Sequence, residues 1–117
     1  MKILVIDDEP RLLAIAQMSL EMIAKWKVLT ANSGYQGIKL AALEHPDAIL
    51  LDMMMPELNG SETLMQLQAN EKTQDIPVFL LTAKSNLPDN LEELGVKAVI
   101  QKPFNPVTLA EAIASKL

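Results

Sequence analysis

The stretch ILLDMMMP, residues 49–56, sets the architecture that the rest of this chain follows. Three apolar residues run directly into Asp52, and Pro56 stops any regular continuation four residues later. Strands that are buried on both faces of a sheet appear in sequence as unbroken apolar runs. The stretch therefore predicts a buried strand that ends at Asp52, which places this carboxylate at the mouth of a core rather than on a solvated face.

Four more apolar runs of strand length occur along the chain, and helical periodicities separate them. Strands are predicted at 2–6, 27–31, 48–51, 76–81 and 97–101; helices are predicted at 10–24, at 35–44, from Asn59-Gly60 through Gln68, at 87–94 and from Pro106 onward. Strands that alternate with helices imply right-handed parallel crossovers that cover both faces of the sheet. The sequence thus predicts one doubly wound α/β domain over residues 1–117, built on a five-stranded parallel sheet.

Composition excludes several classes of function. The chain has 117 residues, 50% hydrophobic and 21% charged, which fits one soluble globular domain. No apolar run approaches the roughly 18 residues of a membrane span, and the strand-like first residues are not expected to be a signal peptide. The absence of cysteine removes thiolate chemistry and fits a reducing cytoplasm. A net charge of −5, ten unclustered basic residues and four aromatic residues (one Trp, one Tyr, two Phe) argue against direct nucleic-acid binding.

Polar residues recur at the carboxyl ends of the predicted strands. Asp7 and Asp8 follow the first strand, Asp52 ends the third, Thr82 ends the fourth and Lys102 ends the fifth. Ligands of open parallel sheets bind at this edge, at the point where the strand order reverses. In the order 2-1-3-4-5 the first and third strands are neighbours, so the acidic pair and Asp52 would face each other.

Carboxylates brought this close need a partner. Two of them about 5 Å apart repel by roughly 3 kcal/mol at an effective dielectric near 20. Such a cluster takes up a proton, a cation or both, and hard oxygen ligands select Mg²⁺, Mn²⁺ or Ca²⁺. A metal ion, the Lys102 ammonium and the Thr82 hydroxyl are the groups that phosphoryl transfer requires. Asp52 is then a candidate nucleophile that forms an acyl phosphate.

At these positions the chain resembles the receiver domain of two-component response regulators. Four motifs carry the resemblance, in the expected order and each at a strand end: Asp7-Asp8-Glu9, Leu51-Asp52-Met53-Met54-Met55-Pro56 with Gly60, Thr82-Ala83, and Lys102-Pro103-Phe104. One such motif is weak, but four in register are specific, and together they span nearly the whole chain. The resemblance implies the flavodoxin-like fold with strand order 2-1-3-4-5.

The resemblance also implies roles for the acidic residues. Asp52 would accept phosphate from a sensor histidine kinase or a histidine phosphotransfer protein. Asp8 and Asp52 would bind Mg²⁺ directly, Asp7 would act mainly through water, and Met54 would offer its backbone carbonyl. By the same resemblance, the chain is a signalling phosphoacceptor rather than an enzyme, catalysing only its own phosphoryl transfer and slow dephosphorylation.

Thr82 and Lys102 would contact the phosphoryl group. By the resemblance, Thr82 would donate a hydrogen bond to it and move toward it, Lys102 would pair with one of its oxygens, and the Lys102-Pro103 bond would be cis. Two positions depart from the family pattern. Val99 stands where an aromatic ring often reports phosphorylation to the outer surface, which leaves the route of transmission open. Met54 is apolar where polar side chains often place an attacking water, so we expect slow self-dephosphorylation.

The resemblance implies that the signal leaves through a protein surface formed by residues 87–94, the fifth strand and the last helix. The recipient would be a downstream protein or a fused output domain, although we predict no output domain within this chain. We further expect a cytoplasmic, monomeric or weakly dimeric protein without membrane association.

Other interpretations fit parts of the pattern. Taken singly, Asp7-Asp8 fits a helix cap, Asp52 and Thr82 fit turns, and Lys102 fits a solvated strand end. A flavodoxin would need a Ser/Thr/Gly-rich loop where this chain has acids, and a haloacid-dehalogenase-type phosphatase would need an acid at Met54. A degenerate receiver that serves only as a binding scaffold stays open as the alternative function.

Overall fold

Strands and helices alternate along residues 1–55, 59–83 and 93–117, which are the residues that the computed structural model describes. The strands are β1 (Lys2–Ile6), β2 (Lys27–Ala31), β3 (Ala48–Asp52), β4 (Val78–Thr82) and β5 (Val96–Gln101). The helices are α1 (Pro10–Met22), α2 (Gly34–Glu44), α3 (Gly60–Ala69) and α4 (Leu109–Ala114). The helix predicted at 87–94 lies largely outside the described residues.

All five strands are parallel and form one sheet in the order β2-β1-β3-β4-β5. The chain passes outward from β1 to β2 and then returns across β1 to β3, so the strand order reverses between β1 and β3. This reversal opens a crevice at the carboxyl ends of those two strands. The predicted fold class and strand order are confirmed.

Helices cover both faces of the sheet, each over its own apolar core. Buried side chains of α2 and α3, including Ala41, Leu64 and Leu67, pack on one face. Those of α1 and α4, including Leu20 and Ile113, pack on the other. Because β3 and β4 lie between the two cores, all five residues of each strand are buried, which explains their unbroken apolar runs. In the described part of the chain, no helix has the length and apolar character needed to cross a bilayer.

The last helix begins three residues later than Pro106 suggested. Asn105 forms a turn first: its side-chain oxygen accepts the N–H of Val107 at 2.9 Å, and its carbonyl accepts the N–H of Thr108 at 3.2 Å. Regular α-helix then begins at Leu109. The segment between Lys102 and α4 is therefore an ordered connection with its own hydrogen bonds.

Candidate functional site

The polar residues predicted from the strand ends meet at the carboxyl edge of the sheet. Asp7 and Asp8 follow β1, Asp52 is the last residue of β3, Thr82 is the last residue of β4 and Lys102 follows β5. Each is positioned by its strand, because parallel strands in register bring their carboxyl ends to one edge. The site therefore spans the crevice between β1 and β3 and extends toward β5.

Three carboxylates form the acidic cluster of this site. One oxygen each from Asp7, Asp8 and Asp52 lie within 4.8 Å of one another. The Asp7 and Asp52 side chains are buried, at 0% and 1% exposure, whereas Asp8 is exposed to solvent. Buried charges of like sign are costly unless a partner neutralises them. The single exposed acid leaves the cluster accessible from solvent.

Backbone amides orient the two buried carboxylates. The N–H of Glu9 donates to Asp7 Oδ1 at 2.9 Å, and the N–H of Met54 donates to Asp52 Oδ1 at 3.1 Å. The other oxygens, Asp7 Oδ2 and Asp52 Oδ2, are buried and have no hydrogen-bond partner among the described residues. Buried polar atoms are nearly always paired in folded proteins, and Asp7 Oδ2 lies beside the Lys102 ammonium, so Asp52 Oδ2 is the oxygen that indicates a place for a cation or water. An oxygen-only donor set of this kind fits Mg²⁺.

Lys102 neutralises part of the acidic charge. Its side-chain Nζ lies 3.1 Å from Asp52 Oδ1 and 3.4 Å from Asp7 Oδ2. Its backbone N–H donates to the Thr82 carbonyl at 2.9 Å. Burial works to lower the pKa of Lys102, but the hydrogen bond and charge of Asp52, followed by the charge of Asp7, outweigh burial and raise that pKa above its ordinary value. The ammonium therefore stays charged and serves as a fixed cation in the site.

Burial is the main cause of the raised pKa of Asp52, and the nearby charge of Asp7 raises it further. The Met54 N–H and Lys102 act in the opposite direction without cancelling the shift. A carboxylate with a raised pKa is insufficiently stabilised in its charged form. A cation bound beside Asp52 would supply the missing stabilisation.

Thr82 and Met54 occupy different environments at this edge. Thr82 is buried at the end of β4, whereas the side chain of Met54 is 51% exposed beside the buried acceptor candidate. Val99 is half-buried and packs against the core under α2 and α3.

Gly60 lies close to the backbone at the end of β3, because a Cβ there would lie 2.4 Å from Met53 Cα and 2.8 Å from the Asp52 carbonyl oxygen.

The sequence predicted the side chains of this site but missed the backbone groups that hold them. The amides of Glu9 and Met54 donate to the Asp7 and Asp52 side chains, and the carbonyl of Thr82 accepts the backbone N–H of Lys102. A residue-type pattern carries no signal for such groups. Only the loop conformation after each strand aims them.

Comparison with known proteins gives the chain a family context. The family model described as the response regulator receiver domain matches residues 3–114. Among curated relatives, a probable transcriptional regulator, ycf27 of Cyanophora paradoxa, is 39% identical over 118 residues, covering 99% of this chain and 48% of that protein. The alkaline phosphatase synthesis transcriptional regulatory protein PhoP of Bacillus subtilis is 39% identical, covering 90% and 43%. The chain thus spans about half the length of the curated relatives it matches.

Solved structures share the fold over nearly their whole length. The chemotaxis protein CheY4 of Vibrio cholerae matches with a TM-score of 0.89 and 26% identity, covering 99% of this chain and 98% of that one. The receiver domain of the sensor histidine kinase PA1611 from Pseudomonas aeruginosa matches with a TM-score of 0.84 and 25% identity, covering 98% and 95%. That structure has a magnesium ion coordinated in its active site cleft.

Proposed function

This chain belongs to the response regulator receiver domain family, and on that premise we propose that Asp52 is its phosphoacceptor. The observation that carries the proposal is the pairing of buried Asp52 with Lys102 at 3.1 Å, inside a cluster of three acids. A carboxylate that has a charged lysine beside one oxygen, and no hydrogen bond to the other within the described residues, suits phosphoryl transfer. A scaffold without phosphorylation would not require this arrangement.

The transfer itself needs little covalent chemistry from the protein. A carboxylate oxygen of Asp52 attacks the phosphorus of a phosphohistidine; a P–O bond forms while the P–N bond breaks, and the electron pair leaves with the imidazole of the donor. Lys102, already beside Asp52, pairs with a phosphoryl oxygen, and the Thr82 hydroxyl donates to another. Positioning and charge stabilisation supply the catalysis.

The acidic residues complete the site by holding a cation. Asp8 and Asp52 would bind Mg²⁺ directly, Asp7 mainly through water, and the Met54 carbonyl would be a further ligand. When bound, Mg²⁺ neutralises charge that develops on the phosphoryl oxygens. Two observations support this assignment: the buried Asp52 Oδ2, which lacks a hydrogen bond within the described residues, and the magnesium in the PA1611 structure.

The proposed partners follow from this role. Phosphate would come from a sensor histidine kinase or a histidine phosphotransfer protein, and the signal would pass to a downstream protein or a fused output domain. One relative, RpaA of Synechocystis, is described as a DNA-binding regulator, which favours a fused output domain in proteins of this type. Residues 1–117 would then act as one cytoplasmic receiver domain that modifies only itself and makes no direct nucleic-acid contact.

Phosphorylation by a small acyl-phosphate donor tests the proposal. With Mg²⁺ and acetyl phosphate, the wild type should gain the mass of one phosphate, and Asp52→Asn should gain none. Asp75→Asn is the matched control, because Asp75 is an exposed acid outside the site, and this variant should be phosphorylated normally. If the wild type gains no phosphate from acetyl phosphate or from a panel of histidine kinases, the scaffold function replaces this one.

A further inference from the structure

A buried serine ties α1 to the segment that follows Lys102. Ser19 is 5% exposed, and its hydroxyl donates a hydrogen bond to the carbonyl oxygen of Pro106. Serine inside a helix usually bonds a carbonyl of its own helix or faces water. Here the hydroxyl leaves α1 for a residue 87 positions away in sequence. This contact satisfies the hydrogen-bonding need of a hydroxyl that is buried on an otherwise apolar face of α1.

The segment from Lys102 to α4 depends on outside contacts for its position. Its two prolines, Pro103 and Pro106, have no N–H to donate. At one end, the N–H of Lys102 donates to the Thr82 carbonyl, which fixes the segment to β4. Farther along, Phe104 is half-buried against the core under α1 and α4, and Ser19 holds the Pro106 carbonyl. The segment is therefore anchored on both sides of Phe104.

Helix α1 connects the acidic residues of the site to the segment that follows Lys102. Asp7 and Asp8 directly precede Glu9, the N-cap of α1, and Ser19 lies in the last turn of that helix. The Ser19–Pro106 hydrogen bond therefore sets where the lysine-bearing segment sits relative to the acid-bearing one. The lysine must be placed accurately, because its Nζ lies only 3.1 Å from Asp52 Oδ1.

We infer that Ser19 is a positioning residue for Lys102 in phosphoryl transfer. The inference rests on the proposed function. Ser19 touches neither the acceptor nor the acids; it acts by holding the chain that carries the lysine. Loss of its hydroxyl lets that chain shift; because a misplacement of about 1 Å can cost on the order of 100-fold in rate, a smaller shift of the lysine should slow phosphoryl transfer severalfold.

A merely structural role must be separated from this one, because deleting any buried hydrogen bond costs stability. Thr73 provides the matched control. This residue is also buried, at 1% exposure, and its hydroxyl donates to the Leu67 carbonyl at 2.6 Å, between α3 and the amino end of β4, away from the site. Thr73→Val and Ser19→Ala each remove one buried hydroxyl while keeping an apolar replacement.

The experiment measures the rate of phosphorylation by acetyl phosphate at saturating Mg²⁺, under conditions where every variant is folded. Ser19→Ala should be slower by roughly threefold to tenfold. Thr73→Val should match the wild type even if it loses as much stability, and Ser19→Thr, which restores the hydroxyl, should recover most of the rate. If Ser19→Ala does not fold, Ser19→Cys takes its place as a variant of similar size with a weak donor. If Ser19→Ala, or Ser19→Cys in its place, reacts as fast as Thr73→Val, the inference is overturned.

A second arm asks whether the effect passes through Lys102. In a Lys102→Met background, Ser19→Ala should cause no further slowing, because no ammonium remains to be positioned. Equal slowing in both backgrounds means that Ser19 acts on general stability, which also overturns the inference. The wild type and Lys102→Met, measured in the same series, test the proposed function separately: phosphorylation of the wild type upholds that function whatever Ser19 does.

Discussion

Asp52 combines two opposing demands in one side chain. As the proposed nucleophile, it must be buried beside Lys102, and it must remain charged although burial and Asp7 disfavour its charge. Lys102 and the Met54 N–H satisfy one of its oxygens, and the other has no hydrogen bond within the described residues. Without a cation, the Asp52 carboxylate therefore lowers the stability of the folded protein, and the proposed function explains why it is present.

The first prediction concerns the stability of the metal-free protein. In EDTA at neutral pH, Asp52→Asn should be more stable than the wild type, because the substitution removes a charge that burial and Asp7 disfavour. The amide keeps the shape of the side chain and its acceptor for the Met54 N–H, while Lys102 keeps Asp7 as a partner. Urea denaturation monitored by circular dichroism measures the difference.

The pH dependence of this gain has a definite sign. The folded-state pKa of Asp52 lies above its ordinary value near 3.8, so the native protein binds more protons than the unfolded chain between those two values. The contribution of Asp52 to wild-type stability therefore falls as pH rises through that window. The advantage of Asp52→Asn should be present above the folded-state pKa and vanish as the pH drops toward 3.8. A wild type that is as stable as the variant at neutral pH contradicts this reasoning.

The second prediction concerns the lifetime of the phosphorylated state. The Met54 side chain is half exposed beside Asp52 and offers no hydrogen-bond acceptor able to hold an attacking water. Met54→Asn or Met54→Glu should shorten the phosphoryl lifetime by roughly threefold or more, because a polar side chain there can orient water. Loss of phosphate is followed by mass after the donor is removed. Met65→Asn, at an exposed methionine of α3, should leave the lifetime unchanged, and a longer lifetime in the Met54 variants counts against the hypothesis.

At the scale of elements, α3 is held close to the end of β3 by a glycine. A Cβ on Gly60 would approach two backbone atoms, Met53 Cα at 2.4 Å and the Asp52 carbonyl oxygen at 2.8 Å, so the chain after β3 would have to move. The side chain of Asn59 caps the helix there by accepting the N–H of Glu62 at 2.9 Å. The start of α3 and the position of Asp52 are therefore coupled.

The third prediction follows from that coupling. Gly60→Ala should cost about 2 kcal/mol of stability through overpacking and should also weaken Mg²⁺ binding, because the Asp52 backbone is displaced. Ser61→Ala, one residue later at an exposed position, should stay within about 0.5 kcal/mol of the wild type. Denaturation and calorimetric Mg²⁺ titration measure the two effects. An unchanged Mg²⁺ affinity in folded Gly60→Ala contradicts the coupling.

The bounds of some strands could be predicted from the sequence, whereas those of others could not. Strands β1 and β2 have the predicted bounds, since their apolar runs coincide with their ladders. Strand β4 begins at Val78 rather than Ile76, because the N–H of Ile76 donates to the Thr73 carbonyl in a turn and Pro77 has no N–H for the sheet. Turn hydrogen bonds of this kind depend on conformation, and periodicity does not record them.

In the site, likewise, some side chains could be predicted from the sequence and several contacts could not. Its acids and Lys102 could be predicted because parallel topology sends every strand end to one edge, so residue type and order suffice. The Ser19–Pro106 contact could not, because it joins residues on two elements whose packing is fixed only in three dimensions. The backbone donors to Asp7 and Asp52 belong to this second kind as well.

At the scale of the whole molecule, the topology concentrates negative charge in one crevice of a chain with net charge −5. A cation that binds only the folded protein stabilises it by RT ln(1 + [L]/Kd). The fourth prediction is that Mg²⁺ at ten times its Kd raises stability by about 1.4 kcal/mol, or the Tm by roughly 5 °C. Thermal denaturation with and without Mg²⁺ measures the shift.

Two variants test whether Mg²⁺ stabilises the protein by binding at the acidic cluster. Asp8→Asn should lose most of the shift, and since Asp8 is exposed, its replacement should cost the metal-free protein little stability. Asp75→Asn, an exposed acid elsewhere, should keep the full shift. An equal shift in wild type and Asp8→Asn would show that Mg²⁺ acts on the surface at large.

The most direct test of the central claim identifies the phosphorylated residue itself. Borohydride reduces an aspartyl phosphate to homoserine, so the wild type is treated with acetyl phosphate and Mg²⁺, reduced, digested and sequenced by mass spectrometry. The account predicts homoserine at position 52 and at no other aspartate, with none formed in EDTA. Homoserine at position 7 or 8, or a phosphate adduct that persists in Asp52→Asn, would contradict it.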